Sequence, residues 1–153
     1  MKQLLTFILL FNINTIKSNE ILSVNAKPYT EKDKIIMITL LAESSGEGKQ
    51  GMLYVASVIK RRGDIYKIPY HEICLKPKQF SCWNDKNTDF LWNKWKKDKN
   101  ANIALNIAQN INSINTNDFQ NIDHYHTINC NPYWKDKTKQ KFIVGNHIFY
   151  RLK

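Results

Sequence analysis

The sequence predicts an α+β fold in which a mainly helical lobe and a small antiparallel β-sheet lobe flank a cleft. Three observations lead there. Apolar residues recur at helical spacing in stretches that end by Ile111, whereas apolar and polar residues alternate only after Gln120. Between them, Gln79-Phe80-Ser81-Cys82-Trp83-Asn84 mixes aromatic and hydrogen-bonding groups with neither period, which suits a cleft wall. At 153 residues, 42% hydrophobic and 12% aromatic, the chain has the size and apolar content of one domain.

The first helix is expected from Thr30, where Thr30 and Asp33 form a capping-box-like start and Ile35, Ile36, Ile38, Leu40 and Leu41 supply a buried face. Gly46 should end it. Beyond the Ser44-Ser45-Gly46-Glu47-Gly48 break, Met52, Val55, Ala56 and Ile59 make a second stripe, which Lys60-Arg61-Arg62-Gly63 is expected to close as a basic C-terminus before a glycine. Pro69 and Pro77 break the next stretch, with a short turn around 71–75. Phe80 reads as ordinary packing. Residues 85–100, with Trp92, Trp95 and Lys94, Lys96, Lys97 and Lys99, read as a solvated, partly helical insert. Ala101, Ala104, Leu105, Ala108 and Ile111 mark a third helix, small enough on one side to pack closely. Then come two strands: one with Ile122, His124 and His126 on one face and Asp123 and Tyr125 on the other, and one over residues 142–151.

The formal net charge is +10, which favours an anionic partner such as nucleic acid, a membrane surface or a cell wall. Residues 1–18 read as an export signal, with Lys2 ahead of a short apolar core over residues 4–11 that is too short to span a bilayer. Residues 19–29 are a lead-in and 30–153 the folded domain. Export fits a periplasmic, envelope or secreted chain with no stable membrane span. Cys74, Cys82 and Cys130 make an odd count; in an exported chain one disulfide and one free thiol is the simplest account, with Cys74–Cys82 the candidate and Cys82–Cys130 its competitor. No zinc-ligand spacing is present, and His124 and His126 lack an evident third ligand, so no metal and no cofactor are expected.

The candidate chemistry lies at the break between the first two helices. Ile36, Leu40, Glu43 and Glu47 fall at offsets 0, 4, 7 and 11, so Glu43 extends an apolar stripe. A partly dry carboxyl holds its proton to higher pH, as a general acid requires. The competing reading of Glu43 is a solvated helix end, and of Glu47 a favourable charge at a helix N-terminus.

Here the chain resembles the spore cortex-lytic enzyme (SleB-type) cell wall hydrolases. Glu43-Ser44-Ser45-Gly46-Glu47, then Gly51, Val55-Ala56-Ser57-Val58-Ile59 and Arg62 look like the family's opening block. Gln79-Phe80-Ser81-Cys82-Trp83, His124-Tyr125-His126, Pro132 with Trp134, and Gly145-Asn146-His147-Ile148-Phe149-Tyr150-Arg151 follow in the family's order. The chain departs from the family at Arg61, where an Asn is usual, and at Asn121-Ile122, where small residues are. The resemblance implies a lysozyme-like fold, a substrate of peptidoglycan glycan strands and a catalytic acid at Glu43. It further implies a lytic transglycosylase that cuts between N-acetylmuramic acid and N-acetylglucosamine and leaves 1,6-anhydromuramyl ends. Glu47, Gln79, Ser81, Trp83, Tyr125 and His126 are then expected to bind the sugar, and His147 to support the fold. A monomer that also meets anionic wall polymer through its basic surface, and no nucleic acid, is the expected partner set. Two other classes compete: an exported nucleic-acid-binding protein or histidine-metal nuclease, and a wall-binding protein without catalysis.

Overall fold

Thr30 and Asp33 cap each other: the Asp33 N–H donates to Thr30 Oγ1 at 3.2 Å and the Thr30 N–H to Asp33 Oδ2 at 2.8 Å. From this capping box α1 runs over Glu31–Ser44 in the computed structural model, which describes residues 28–84, 86–135 and 141–152 apart from the Lys141 side chain. The export signal expected over residues 1–18, and the lead-in up to residue 27, lie outside the described residues. Every residue of α1 from 36 to 41 is buried, which covers all sides of a helix and makes α1 the central element of its lobe. Around it pack α2 (Gly48–Tyr66), α3 (Tyr70–Leu75), α4 (Thr88–Trp95) and α5 (Ala101–Gln109). Ala101, Ala104 and Ala108 make up the buried face of α5 together with Ile107, and the small alanine side chains let its backbone approach α1. No helix among the described residues is long and apolar enough to cross a membrane.

The small lobe is a three-stranded antiparallel sheet of order β1-β3-β2, from β1 (His124–Thr127), β2 (Lys141–Val144) and β3 (His147–Tyr150). Tyr125 pairs with Phe149, and Phe149 with Phe142. Phe149, Val144 and Ile122 carry the helical core into the sheet lobe.

The α+β class and the two-lobe division match the expectation, with several differences of detail; α1 ends at Ser44, two residues short of Gly46. Gly63 does not end α2, which continues to Tyr66 and is capped by Lys67 at φ 57, its N–H bonded to the Gly63 carbonyl. Gly63 instead makes room: a Cβ there would lie 2.4 Å from Tyr70 Cδ1, so the glycine lets α3 dock on α2. The single strand expected over 142–151 is a hairpin, turned at Gly145 with φ +55, a conformation glycine adopts without steric cost. The departure at Asn121-Ile122 is accommodated by Gln120 and Asn121, both at φ 55, after which Ile122 turns into the core. The expected Cys74–Cys82 bridge is not formed: Cys74, Cys82 and Cys130 are all free thiols. Burial pushes the Cys74 and Cys82 thiols up to about 12, so both hold their protons at neutral pH.

Candidate active site

The site begins where α1 stops. Ser44 leaves helical geometry at φ −149, its buried Oγ donating back to the Leu40 carbonyl at 2.9 Å. Residues Ser45–Glu47 form one 3-10 turn, and Gly48, at φ 65, starts α2 in a new direction. Asp98 and Asn100 grip this bend from the end of the lysine-rich segment: Ser45 Oγ donates to Asp98 Oδ1 and Asn100 Nδ2 to the Ser45 carbonyl, both at 2.9 Å.

Glu43 stands on the last turn of α1, half-buried, in the wall of a cleft of ≈ 540 Å³ lined by Ala42, Glu43, Ser44, Gly46 and Glu47 on the helical side and by Thr127, Gly145, Asn146 and His147 on the sheet side. The Tyr125 hydroxyl reaches across from β1 and donates to Glu43 Oε2 at 2.8 Å. Burial raises the Glu43 pKa above the ordinary carboxylate value; the Tyr125 hydrogen bond and the nearby charges of His147 and Arg62 offset part of that rise. Burial and the facing carboxylate hold the Tyr125 phenol well above its own usual value, so it remains a donor.

Of the expected sugar-binding residues, Ser81 joins Glu43 in the cleft lining and Tyr125 bonds to Glu43 directly. The others are engaged elsewhere. Gln79 Oε1 accepts from Arg62 at 2.9 Å, and Trp83 Nε1 donates to Thr39 Oγ1 at 2.9 Å, which turns the indole N–H into the helical lobe. His126 cannot share a face with Tyr125 on one strand, and its Nε2 lies 2.7 Å from the Tyr150 hydroxyl on the opposite side of the sheet, its ring stacked on Tyr150 and edge-on to Trp134. Glu47 lines the cleft, but its Oε1 accepts the Asn146 N–H at 2.8 Å and the His147 Nδ1–H at 2.7 Å. His147 supports the fold through that bond and also lines the cleft. Phe80 is core.

Sequence reasoning left out Thr127, Asn146 and the part played by Arg62. Arg62 donates from Nε to the Asp123 carbonyl at 2.7 Å and stands near enough to Glu43 to act on its charge. One signal existed: a basic residue on the buried stripe of a helix needs acceptors from another element. Among the described residues no three histidine, cysteine, aspartate or glutamate side chains gather as a metal site, and His124 is bonded through Nδ1 to Asp123 at 2.7 Å.

Comparison with known proteins adds the family. No curated protein and no solved structure matches the chain. The profile of the Cell Wall Hydrolase family matches residues 46–150, a span that holds Glu47, Gln79, Ser81, Trp83, Tyr125 and His126 and opens just after Glu43. Glu43 lies outside the matched span, while a match over more than half of the sequence carries the wider conclusion that the chain belongs to the cell wall hydrolase family.

Proposed function

We propose that this cell wall hydrolase cuts the glycan strand of peptidoglycan between N-acetylmuramic acid and N-acetylglucosamine, as a lytic transglycosylase with Glu43 acting first as acid and then as base. The observation that carries the reading is the contrast between the two carboxyls that line the cleft. Glu43 has one oxygen on Tyr125 and the other left for substrate, whereas Glu47 is tied to the β2–β3 turn. A two-carboxylate hydrolysis needs a second group free to activate water across the scissile bond. With one working carboxyl, the muramyl 6-hydroxyl serves as nucleophile in place of water.

The environment of Glu43 suits both halves of that cycle. Burial raises the Glu43 pKa and so favours the protonated carboxyl, the form that gives its proton to the departing glycosidic oxygen. The Tyr125 hydroxyl and the charge of Arg62 then stabilise the carboxylate that removes the proton from the 6-hydroxyl as the anhydro ring closes. Export to the envelope, and contact with anionic wall polymer through the surface of a chain with net charge +10, are part of the same proposal.

Digestion of purified peptidoglycan followed by mass spectrometry tests it, because an anhydro end is one water lighter than a reducing end. The expected product carries anhydro ends and disappears in Glu43→Gln, with a loss of roughly 10²-fold or more, the range for removing a general acid. Stability should move the other way. The Glu43 pKa is raised on folding, so its contribution is favourable below the unfolded value and is lost as pH rises through the folded one. Glu43→Gln removes that penalty, and its melting temperature at neutral pH is expected to equal or exceed that of the parent. Reducing ends alone would assign hydrolysis; full lysis by Glu43→Gln would move the acid elsewhere; and wall binding unchanged by the variant with no cleavage in either protein would make this a binding protein.

A further inference from the structure

We infer that Glu47 is a positioning residue of the proposed reaction: it fastens the β2–β3 turn and the His147 ring to the α1–α2 bend, and through His147 it sets Tyr125 against Glu43. The inference rests on the reading of Glu43 as the acid.

Four observations lead to it. The first is connectivity. Glu47 Oε1 accepts two hydrogen bonds from residues about a hundred positions away, the Asn146 N–H at 2.8 Å and His147 Nδ1–H at 2.7 Å, and so joins the helical lobe to the sheet lobe at the floor of the cleft. The second is fit. A Cβ on Gly145 would fall 2.5 Å from Glu47 Cγ, and one on Gly51 would fall 2.6 Å from Glu47 Cβ and 2.7 Å from Oε2. Two glycines from different elements thus form a slot that closes around this side chain. The third is access: Glu47 and His147 side chains are 10% and 9% exposed, and Glu47 Oε2 is buried with no hydrogen-bond partner. An oxygen shut against Gly51 is closed to a sugar hydroxyl, and a buried acceptor without a donor costs stability, so cohesion alone does not account for a carboxyl here. The fourth is the relay. The His147 ring meets the Tyr125 ring edge-on, centroids 5.3 Å apart at 81°, and Tyr125 is the residue that donates to Glu43.

Catalysis is sensitive to such placement, since a small displacement of a group remote from the reacting atoms lowers rate without touching substrate. The groups that act on the Glu43 charge are Tyr125 of β1, His147 of β3 and Arg62 of α2; the Cys82 thiol of the 81–83 turn and the Cys74 thiol of α3, raised first by burial, are themselves raised further by that charge, and Glu47 of the bend is held on His147. If Glu47 lets go, the change reaches Glu43 through Tyr125, whose hydrogen bond favours the carboxylate. The Glu43 pKa then rises, and the alkaline limb of kcat, where the acid is lost, moves to higher pH.

The experiment compares Glu47→Gln, Glu47→Ala and Gly51→Ala with the parent and with Glu43→Gln, measuring kcat, KM and the pH profile on soluble glycan chains. Glu47→Gln keeps a carbonyl oxygen for Asn146 and His147 and is expected within roughly 10-fold of the parent kcat. Glu47→Ala is expected to lose roughly 10- to 100-fold in kcat, about the worth of one charge-assisted hydrogen bond, with KM little changed and the alkaline limb shifted up. Gly51→Ala keeps the carboxyl but pushes it from its slot, so it should reproduce the lower kcat and the shifted limb and serves if Glu47→Ala does not fold. Three results overturn the inference: Glu47→Gln as inactive as Glu43→Gln, which makes Glu47 a proton carrier; a raised KM at unchanged kcat, which makes it a sugar ligand; or an unmoved limb in both Glu47→Ala and Gly51→Ala. Lysis retained by Glu43→Gln is a different outcome, and it removes the reading beneath.

Discussion

Tyr125 and His126 are neighbours on β1; the Tyr125 side chain makes one hydrogen bond, at 2.8 Å, and the His126 ring two, both at 2.7 Å, yet across the sheet they reach very different partners. Tyr125 reaches Glu43, 82 residues away on the helical lobe; His126 reaches Tyr150 on the adjacent strand. The pleat makes this division, because successive side chains leave a strand on opposite sides. Residues of similar chemistry therefore become functional or structural by the face they are given. On the cleft face Tyr125, His147 and Phe149 rest on one another between Glu43 and the core. The far face is closed by Trp134 over His124, His126 and Tyr150.

Substitutions on the two faces should separate rate from stability. Tyr125→Phe is expected to have the larger effect on rate: loss of a hydrogen bond to a charged group, roughly 1.5–3 kcal/mol, lowers kcat by roughly 10- to 100-fold. With that bond gone burial acts on Glu43 with less opposition, its pKa rises further, and the alkaline limb of the pH–rate profile moves upward. An unchanged limb would disconnect Tyr125 from the acid. His126→Ala removes two hydrogen bonds and a stacked ring from the far face, so kcat should stay within roughly 2-fold while denaturant unfolding reports a loss of about 1–3 kcal/mol. A folded His126→Ala that no longer cuts would merge the two faces into one site. The smallest effect concerns neither face. Lys97 and Lys99 are exposed beside Asp98, and exchanging both for glutamine should weaken binding to sacculi a few-fold at low salt and hardly at all at high salt, since exposed charges act over a Debye length of ~10 Å at 0.1 M. Binding that ignores salt would place recognition wholly within the cleft.

Much of this arrangement is visible in the amino-acid order wherever a local rule governs it. The Thr30–Asp33 cap, the buried 36–41 run, the small face of α5 and the half-buried station of Glu43 each follow from neighbours within a turn or two. What depends on distant chain is not visible in that way. Gly63 resembles a helix end by composition, and only the docking of Tyr70 shows why it is glycine. The hairpin over 142–151 is a mixed case: Gly145-Asn146 between two apolar runs is a local turn signal, but only the fold shows the Glu47 carboxyl, a hundred residues earlier, fastening that turn. Gln79 and Trp83 carry groups suited to a sugar, and only the fold shows that Gln79 Oε1 is bonded to Arg62 and Trp83 Nε1 to Thr39. The separation of Tyr125 from His126 was available from the strand period alone.

The strand order β1-β3-β2 has a consequence for when the molecule becomes able to cut. β3 comes last in the chain and lies in the middle of the sheet, so β1 and β2 have no partner until residues 147–150 insert between them. The β2–β3 hairpin closes over Gly145-Asn146 alone, but β1 has to be joined to β3 across residues 128–146, and the entropic cost of that longer closure must be met before the β1–β3 pairing repays it. A nascent polypeptide would thus carry the proposed acid early, on a helix that forms from its own neighbours, and gain the steadying tyrosine only as β3 arrives.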